Sequence, residues 1–469
     1  MRYLLVPKSD DLGDSLASKS ISMQPAERAR RLETIVKARQ TIAAGDDRLE
    51  DLVRQRRAFE AARALPAQRG KARATDAMGG FGRDEKAVAP PGISVLATPA
   101  RETPVTGVTV LDAGPEAKDT LGQAFPDHDV IEDFALELIA PPFRDAMAEN
   151  GTGGPSTMNG TGGANAVTEA ELWHLQEIGL LDARRRKFGL TGDGVVVGVL
   201  DTGVADVPEI SGRILENRVF NQTLLDYETA EITDTDWHGT HVAGLIAGRS
   251  VGVAPGSKIV SLTMIPNRVG SFSHYVFALE HAQARPEIQI LNMSAGKSGQ
   301  HPQMRNMARI AQRLDVLCVM AIGNNGVNTN CSPGNYPEVI SVGAFDSHRR
   351  VWASSSGGAI IWDGMQYPTP TLVAPGVDVV SSLPDGSYRA ESGTSMATPI
   401  VTGLAALLIE KHPDITVHQL REEILSACVS LDLDVGRQGA GVVQIPPSLL
   451  IGLPPQDLVA RAAGPSRPA

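Results

Sequence analysis

Four side chains in this sequence have the types and order needed for nucleophilic chemistry: Asp201, His238, Asn324 and Ser395. Ser395 stands in ESGTSMATP, where a small-residue loop runs into a long apolar segment that ends near His412. That pattern predicts a helix buried on most sides and entered through Gly393, Thr394 and Ser395. A helix start exposes unpaired N–H groups and a partial positive charge, so it favours an oxyanion beside it. Serine is also a favoured helix cap, so this residue alone does not separate nucleophile from cap. His238, in DTDWHGTHVAGLIAG, begins a small-residue helix. With an unperturbed pKa of about 6.5, an imidazole there can take and return a proton near neutrality. Asp201 ends the apolar run VVVGVLD, where it either caps the next turn or holds a histidine N–H and fixes its tautomer. Asn324, in AIGNNG, can offer an amide N–H to a developing oxyanion, and losing such a donor costs about 10²–10³ in rate. Its neighbour Asn325 suits the turn itself. Acid, imidazole and hydroxyl together make an orienter–base–nucleophile set for acyl transfer.

The elements that must position these residues are legible from periodicity. From VVVGVLDTG onward, apolar strand-like runs alternate with helical stretches: HVAGLIAG, KIVSLTMI, IQILNMSAG, VLCVMAIGN, VISVGAF and TLVAPG, with helices expected around Phe272 and Met304. This is the alternation of an α/β domain on a mostly parallel sheet, whose ligands sit beyond the carboxyl ends of the strands. Asp201, Ser294 and Asn324 each stand at such an end. Before this domain, RYLLVP at residues 2–7 has the look of a strand, and residues 23–65 are rich in Ala, Arg, Glu and Leu and read as helical. Residues 67–91 read as a linker. Strand, helix and strand follow in VTGVTVLDA, PEAKDTLGQAF and HDVIEDFALELI, a small α+β pattern.

Five strings, D-T-G, H-G-T-H-V-A-G, N-M-S-A-G, I-G-N-N-G and G-T-S-M-A-T-P, occur in this order and resemble the motifs of the subtilisin-like serine proteases. The acid–histidine–serine order also agrees with that family. The resemblance covers roughly residues 173–443. It implies a serine endopeptidase in which Asp201, His238 and Ser395 form the triad and Asn324 completes the oxyanion hole. It further implies that Ser294, Ala295 and Gly296 line the substrate cleft and pair with an extended peptide as an added strand. Ala295 stands where many relatives carry leucine, which predicts a wider or shallower apolar pocket. The chemistry needs no cofactor. After HVAGLIAG the chain runs straight through RSVGVAPG, without the longer loop that binds calcium in many relatives, so that site is not carried over and structural calcium is left open.

The expected architecture is a subtilisin-like three-layer α/β domain with a mostly parallel sheet, preceded by a small α+β propeptide-like domain and a helical segment. The expected boundaries are 1–91 for the N-terminal strand, helical segment and linker, and 92–148 for the propeptide-like domain. A Gly/Asn/Thr-rich linker at 149–166, the peptidase domain at 167–453 and a tail at 454–469 complete the division. Family members are often made with an α+β propeptide that assists folding and blocks the cleft, which predicts a zymogen or another restraint by the N-terminal region or an inhibitory partner. The alternative is a catalytically silent binding or regulatory protein on the same fold, which would usually lack a triad residue. None is missing here.

Composition narrows the classes further. Apolar residues make up 42% and charged residues 21% of the 469, which suits a globular protein rather than a disordered one. A net charge of −11 argues against a nucleic-acid surface. No apolar run approaches the ~20 residues of a membrane span, and the start MRYLLVPKSDDLGDSL lacks the apolar core of a secretory signal. Cytoplasmic synthesis is expected, with leaderless secretion left open. Cys318, Cys331 and Cys428 form no C-x-x-C pair and read as buried thiols. His238 and His241 are three apart and lack the glutamate of an H-E-x-x-H metal pair, so His241 reads as structural. Residues 13–16 spell the GDSL string of another hydrolase family, but Asp414 and His418 are four apart where that family needs D-x-x-H.

Overall fold

The computed structural model describes residues 1–8, 24–43, 101–103, 106–115, 117–139, 167–221, 226–362 and 364–453. The expected helix beyond residue 43, the linkers at 67–91 and 149–166, Ser15 of the GDSL string and the tail at 454–469 lie outside them. The chain divides into two compact units, Met1–Leu12 with Ile35–Asp133, and Gly13–Thr34 with Phe134–Ala469.

In the first unit, β1 (Arg2–Pro7) pairs antiparallel with β3 (Thr109–Asp112) on one side and β4 (His128–Glu132) on the other. The short β2 (Arg101–Glu102) completes the order β2-β3-β1-β4. β1 is thus an inner strand, and its Tyr3, Leu4, Leu5 and Val6 are all buried. Tyr3, Leu5, Leu111, Ala117, Leu121 and Phe125 make one apolar cluster between sheet and helix. Helix α1 (Pro25–Ala43) precedes this region in the chain, its residues through Thr34 grouping with the second unit, and α2 (Ala117–Ala124) supplies Ala117 and Leu121.

The string HDVIEDFALELI alternates throughout and was expected to form one strand. It is two. His128–Glu132 is β4, whereas β5 (Ala135–Leu138) belongs to a different sheet in the second unit. Period-2 alternation says which side chains share a face, but not which edge supplies the backbone partners. The expected domain running to residue 148 therefore ends, as a compact unit, at Asp133.

The second unit is built on an eight-stranded sheet. Its strands are β6 (Val196–Asp201), β7 (Ile214–Asn221), β8 (Asp226–Ala230), β9 (Lys258–Thr263), β11 (Ile288–Met293), β13 (Leu317–Ala321), β15 (Ile340–Phe345) and β18 (Leu372–Pro375). The order is β18-β15-β13-β11-β6-β9-β7-β8, parallel throughout except for the β7–β8 edge pair. Smaller elements include β10 (Val269–Ser271), β12 (Ala295–Ser298), β14 (Cys331–Ser332) and the hairpin of β16 (Gly358–Trp362) and β17 (Met365–Thr369). The helices that matter for the site are α3 (His238–Ala247), α4 (Phe272–Gln283), α5 (Pro302–Arg313) and α6 (Thr394–Lys411). Every residue of α6 from Thr394 to Ile409 is buried. Its Met396, Ala397, Ile400, Val401 and Leu404 join Val199 of β6, Ile290 of β11, Val319 of β13 and Val242 of α3 in one core. At about 1.5–3 kcal/mol for each fully buried aliphatic side chain, this packing far outweighs any helix propensity in setting where α6 lies.

Candidate active site

Asp201 is the last residue of β6 and His238 the first of α3, and both are buried. His238 Nδ1 lies 2.7 Å from Asp201 Oδ1, which also accepts the Thr202 N–H at 2.8 Å. A carboxylate on Nδ1 holds the proton there and leaves Nε2 as the acceptor nitrogen. Nε2 has no hydrogen-bond partner among the described residues.

The start of α3 is held by Asp234. Its Oδ2 accepts the Thr240 N–H at 2.8 Å and the Thr240 hydroxyl at 2.6 Å, and its Oδ1 accepts the Thr202 hydroxyl at 2.7 Å and the Asp236 N–H at 3.0 Å. Burial pushes this carboxyl up to about 6, against the four donors that pull it down. Asp234 thus ties the β6 loop to the helix that carries the histidine, a role the sequence reading did not assign. Close approach of the two segments also requires glycine: a Cβ on Gly239 would stand 1.9 Å from the Gly203 carbonyl oxygen, and Gly203 itself has φ +114°. One turn along α3, His241 Nε2 hydrogen-bonds the Arg389 carbonyl at 3.0 Å, and burial drives its pKa down to about 3. It is a neutral packing residue, as its spacing suggested.

Ser395 is the second residue of α6. Pro399, four residues on, has no N–H to give the Ser395 carbonyl. The Ser294 hydroxyl donates to that carbonyl instead, at 3.2 Å. Asn324 follows β13, and its Oδ1 accepts the Thr394 N–H at 3.0 Å and the Thr394 hydroxyl at 2.9 Å. With the amide oxygen so engaged, Nδ2 must point the other way, toward the mouth of α6. It donates to the carbonyl of Ile139 at 2.9 Å.

Ile139 was not singled out in the sequence, and it occupies the centre of the site. Its carbonyl accepts both from Asn324 Nδ2 and from the Ser395 hydroxyl in a very short contact. Its N–H donates to the Ser294 carbonyl at 3.1 Å. The preceding residues form β5, antiparallel to β10 (Val269 opposite Glu137, Gly270 opposite Leu136) and to β12 (Ala295 opposite Leu138, Gly296 opposite Glu137). The order β10-β5-β12-β14 therefore has a strand from before the domain slotted between two of its edges. Phe134 stacks on Phe272 at 4.9 Å between centroids, and its carbonyl takes the Phe272 N–H at 2.8 Å. Leu136 is fully buried, and Ile139 packs against Ala321 and Cys331. Ala295, expected to widen an apolar pocket, supplies backbone pairing to β5, and Cys331 is the thiol beside Ile139. Burial pushes that thiol up to about 12, as it does Cys318 and Cys428. Gly296 leaves no room for a side chain, since its Cβ would lie 2.2 Å from the Ser332 carbonyl oxygen.

Asn324, Ser294, Ala295, Gly296 and Ser395 thus meet along β5 and its Ile139 end, and Asp201 and His238 pair with each other at the end of β6 and the start of α3. A hydroxyl and a fixed amide donor at one carbonyl, and a buried imidazole held by a carboxylate, are the kinds of group that acyl transfer uses. The calcium question bears on the turn after α3. Among the described residues no group of three or more His, Cys, Asp or Glu is arranged to hold a metal ion. The turn itself is closed by Glu209, whose Oε1 accepts the N–H groups of Ser250 and Val251 at 2.6 and 2.9 Å.

Residues 192–441, more than half of the chain, match the subtilase family, and the chain belongs to it. It is a serine endopeptidase, a hydrolase that acts on protein substrates. It is 32% identical to subtilisin of Bacillus pumilus over 254 residues, which cover 52% of this chain and 86% of that one. It is equally similar, at 32% over 277 residues, to subtilisin Savinase of Lederbergia lenta, covering 58% of this chain and 96% of the relative. The alkaline protease of Shouchella clausii aligns at 32% over 283 residues, 59% of this chain and 69% of its own length. No helix among the described residues is long and apolar enough to cross a membrane.

Proposed function

We propose that this endopeptidase is a zymogen whose residues 134–139 lie in its own cleft as substrate, and that it cuts itself between Ile139 and Ala140. The observation that carries the reading is the Ile139 carbonyl, held at once by Asn324 Nδ2 and by the Ser395 hydroxyl at the end of an antiparallel strand. In the reaction, Ser395 Oγ leaves its hydrogen bond to that oxygen and attacks the carbonyl carbon while His238 Nε2 takes the hydroxyl proton. The C=O π bond opens onto the oxygen, and Asn324 Nδ2 is already aimed at it. His238 returns the proton to the Ala140 nitrogen as the Ile139–Ala140 bond breaks, leaving an Ile139 ester on Ser395. Water, activated by the same imidazole, then hydrolyses that ester. Asp201 orients the imidazole and balances its charge while it is protonated. Substrates in trans would lie along β10 and β12 in the same way, read by main-chain pairing, with apolar side chains favoured where Leu136 and Ile139 are buried. The hydrogen-bonded Glu209 turn supports a mature enzyme that does without calcium at that loop.

The test is the new amino terminus. Purified active chain should yield a fragment beginning at Ala140, found by N-terminal sequencing or intact mass. Ile139→Asp should slow its appearance by at least about 100-fold, because a carboxylate would have to enter the apolar site beside Ala321 and Cys331 at a cost of several kcal/mol. A first cut elsewhere, insensitive to residue 139, removes the reading. Asn324→Ala should lower kcat by about 10²–10³ with little change in KM, the scale seen for the equivalent donor in subtilisin itself. Steady-state kinetics on a peptide substrate measure it.

A further inference from the structure

The cleft strand is not the only part of the amino-terminal region seated on the catalytic unit. Residues 25–34 of α1 lie in that unit, held by two arginines one helical turn apart. Arg28 is 3% exposed. Its Nη1 donates to the Pro286 carbonyl at 2.6 Å and its Nε to the Leu314 carbonyl at 3.4 Å. Arg31 Nη1 pairs with Asp315 Oδ2 at 3.1 Å, both side chains being nearly buried. Gln24 Nε2 adds a bond to Asp414 Oδ1 at 3.2 Å.

The receiving surface is suited to cations. Leu314 caps the C-terminus of α5, where the last carbonyls have no helical N–H partner and the helix dipole is negative. Pro286 follows the end of α4, and Asp315 adds a full negative charge. The opposite face of the helix, with Glu27, Arg30, Glu33 and Thr34, is exposed, and Ala29 and Leu32 are only half-buried. The contact is therefore defined by the two guanidinium groups rather than by an apolar stripe. A buried arginine is costly unless every donor finds a partner, so such a contact is selective for this helix and register. None of its residues belongs to the cleft.

We propose that α1 is a second handle, independent of the cleft, by which the amino-terminal region stays bound after the Ile139–Ala140 bond is cut. This builds on the cleft reading above. Two contacts carried on one chain segment raise each other's effective concentration, so a strand that leaves the cleft is returned to it while the helix holds. Scission alone then does not free the enzyme. Activity appears only when the handle is lost as well, by a further cut or by a competitor for the acceptors at Pro286, Leu314 and Asp315.

The test does not use the chain's own scission. A full-length Ser395→Ala chain with a site-specific protease sequence inserted within residues 149–166 is folded, then nicked by that protease. Size exclusion and the dissociation constant of the two pieces are measured. With the native arginines the pieces should co-elute. Arg28→Glu with Arg31→Glu should raise the dissociation constant tenfold or more, as truncation of buried arginine anchors does at other interfaces. Asp315→Asn, which alters only the catalytic side, should weaken the pair in the same direction and, made in a chain that keeps Ser395, should leave peptide hydrolysis by the freed enzyme unchanged. Pieces that separate with the native arginines overturn the handle, as does a dissociation constant that moves less than tenfold in the arginine variant. If that variant does not fold, an unchanged constant in Asp315→Asn overturns it. Sequencing of the active chain's new terminus judges the cleft reading separately.

Discussion

Ser395→Ala is expected to lower kcat/KM on a peptide substrate by about 10⁶-fold, the scale known for the triad serine of subtilisin. The same variant should remain at full length, with no terminus at Ala140. Both effects follow from two observations: the hydroxyl on α6 touches the Ile139 carbonyl, and His238 Nε2 has no hydrogen-bond partner among the described residues. The variant should keep its fold, because α6 is held by sixteen consecutive buried positions from Thr394 to Ile409, and alanine is a better helix former than serine. Full activity in Ser395→Ala, measured by burst and steady-state assays with matched protein, would sink the assignment. Further substitution of His238 in that background should add almost nothing, since groups that act as one unit are not additive.

Asp201→Asn should cost about 10⁴-fold in kcat with folding intact, the loss seen where this change was made in a serine protease of another fold. Asp201 Oδ1 is an acceptor for two N–H groups, those of His238 and Thr202. An asparagine can take both N–H groups only in the flip that puts its oxygen at that position, and in either flip it lacks the charge that balances a protonated imidazole. With NH₂ facing Nδ1, that nitrogen becomes the acceptor, and the proton moves to Nε2, which then cannot take one from Ser395. The signature is a large fall in kcat, little change in KM, and partial recovery at high pH if hydroxide replaces the base. A loss confined to KM would mean that Asp201 only shapes the cleft.

Much of the site was readable because its parts are local. Asp201 at the end of an apolar run, His238 opening a small-residue helix and Ser395 opening a buried one each sit where strand or helix termini must fall. The parallel alternation behind them also follows from local apolar patterning, which β6, β11, β13 and β15 retain as nearly continuous buried runs. Other features gave no such signal. Asp234 looks like any turn aspartate until Thr202 and Thr240 are brought to it from both sides. Ser294 matters through a carbonyl that Pro399 leaves without its helical donor, a link between residues 101 positions apart.

By itself, then, the sequence determined the α/β class and the family and named candidates for acyl transfer, since motif, periodicity and helix-start chemistry are written over a few neighbouring residues. Only the tertiary structure decided what those residues face. Residues 134–139 alternate no differently from the strand before them, yet they pair with β10 and β12 rather than with β1. Arg28 and Arg31 lie in a stretch whose composition reads only as helical, yet they meet the ends of α4 and α5. The physical reason is common to both. Backbone pairing and charge burial depend on which acceptors are left open on distant elements, and those are known only once the sheet and its helices have packed.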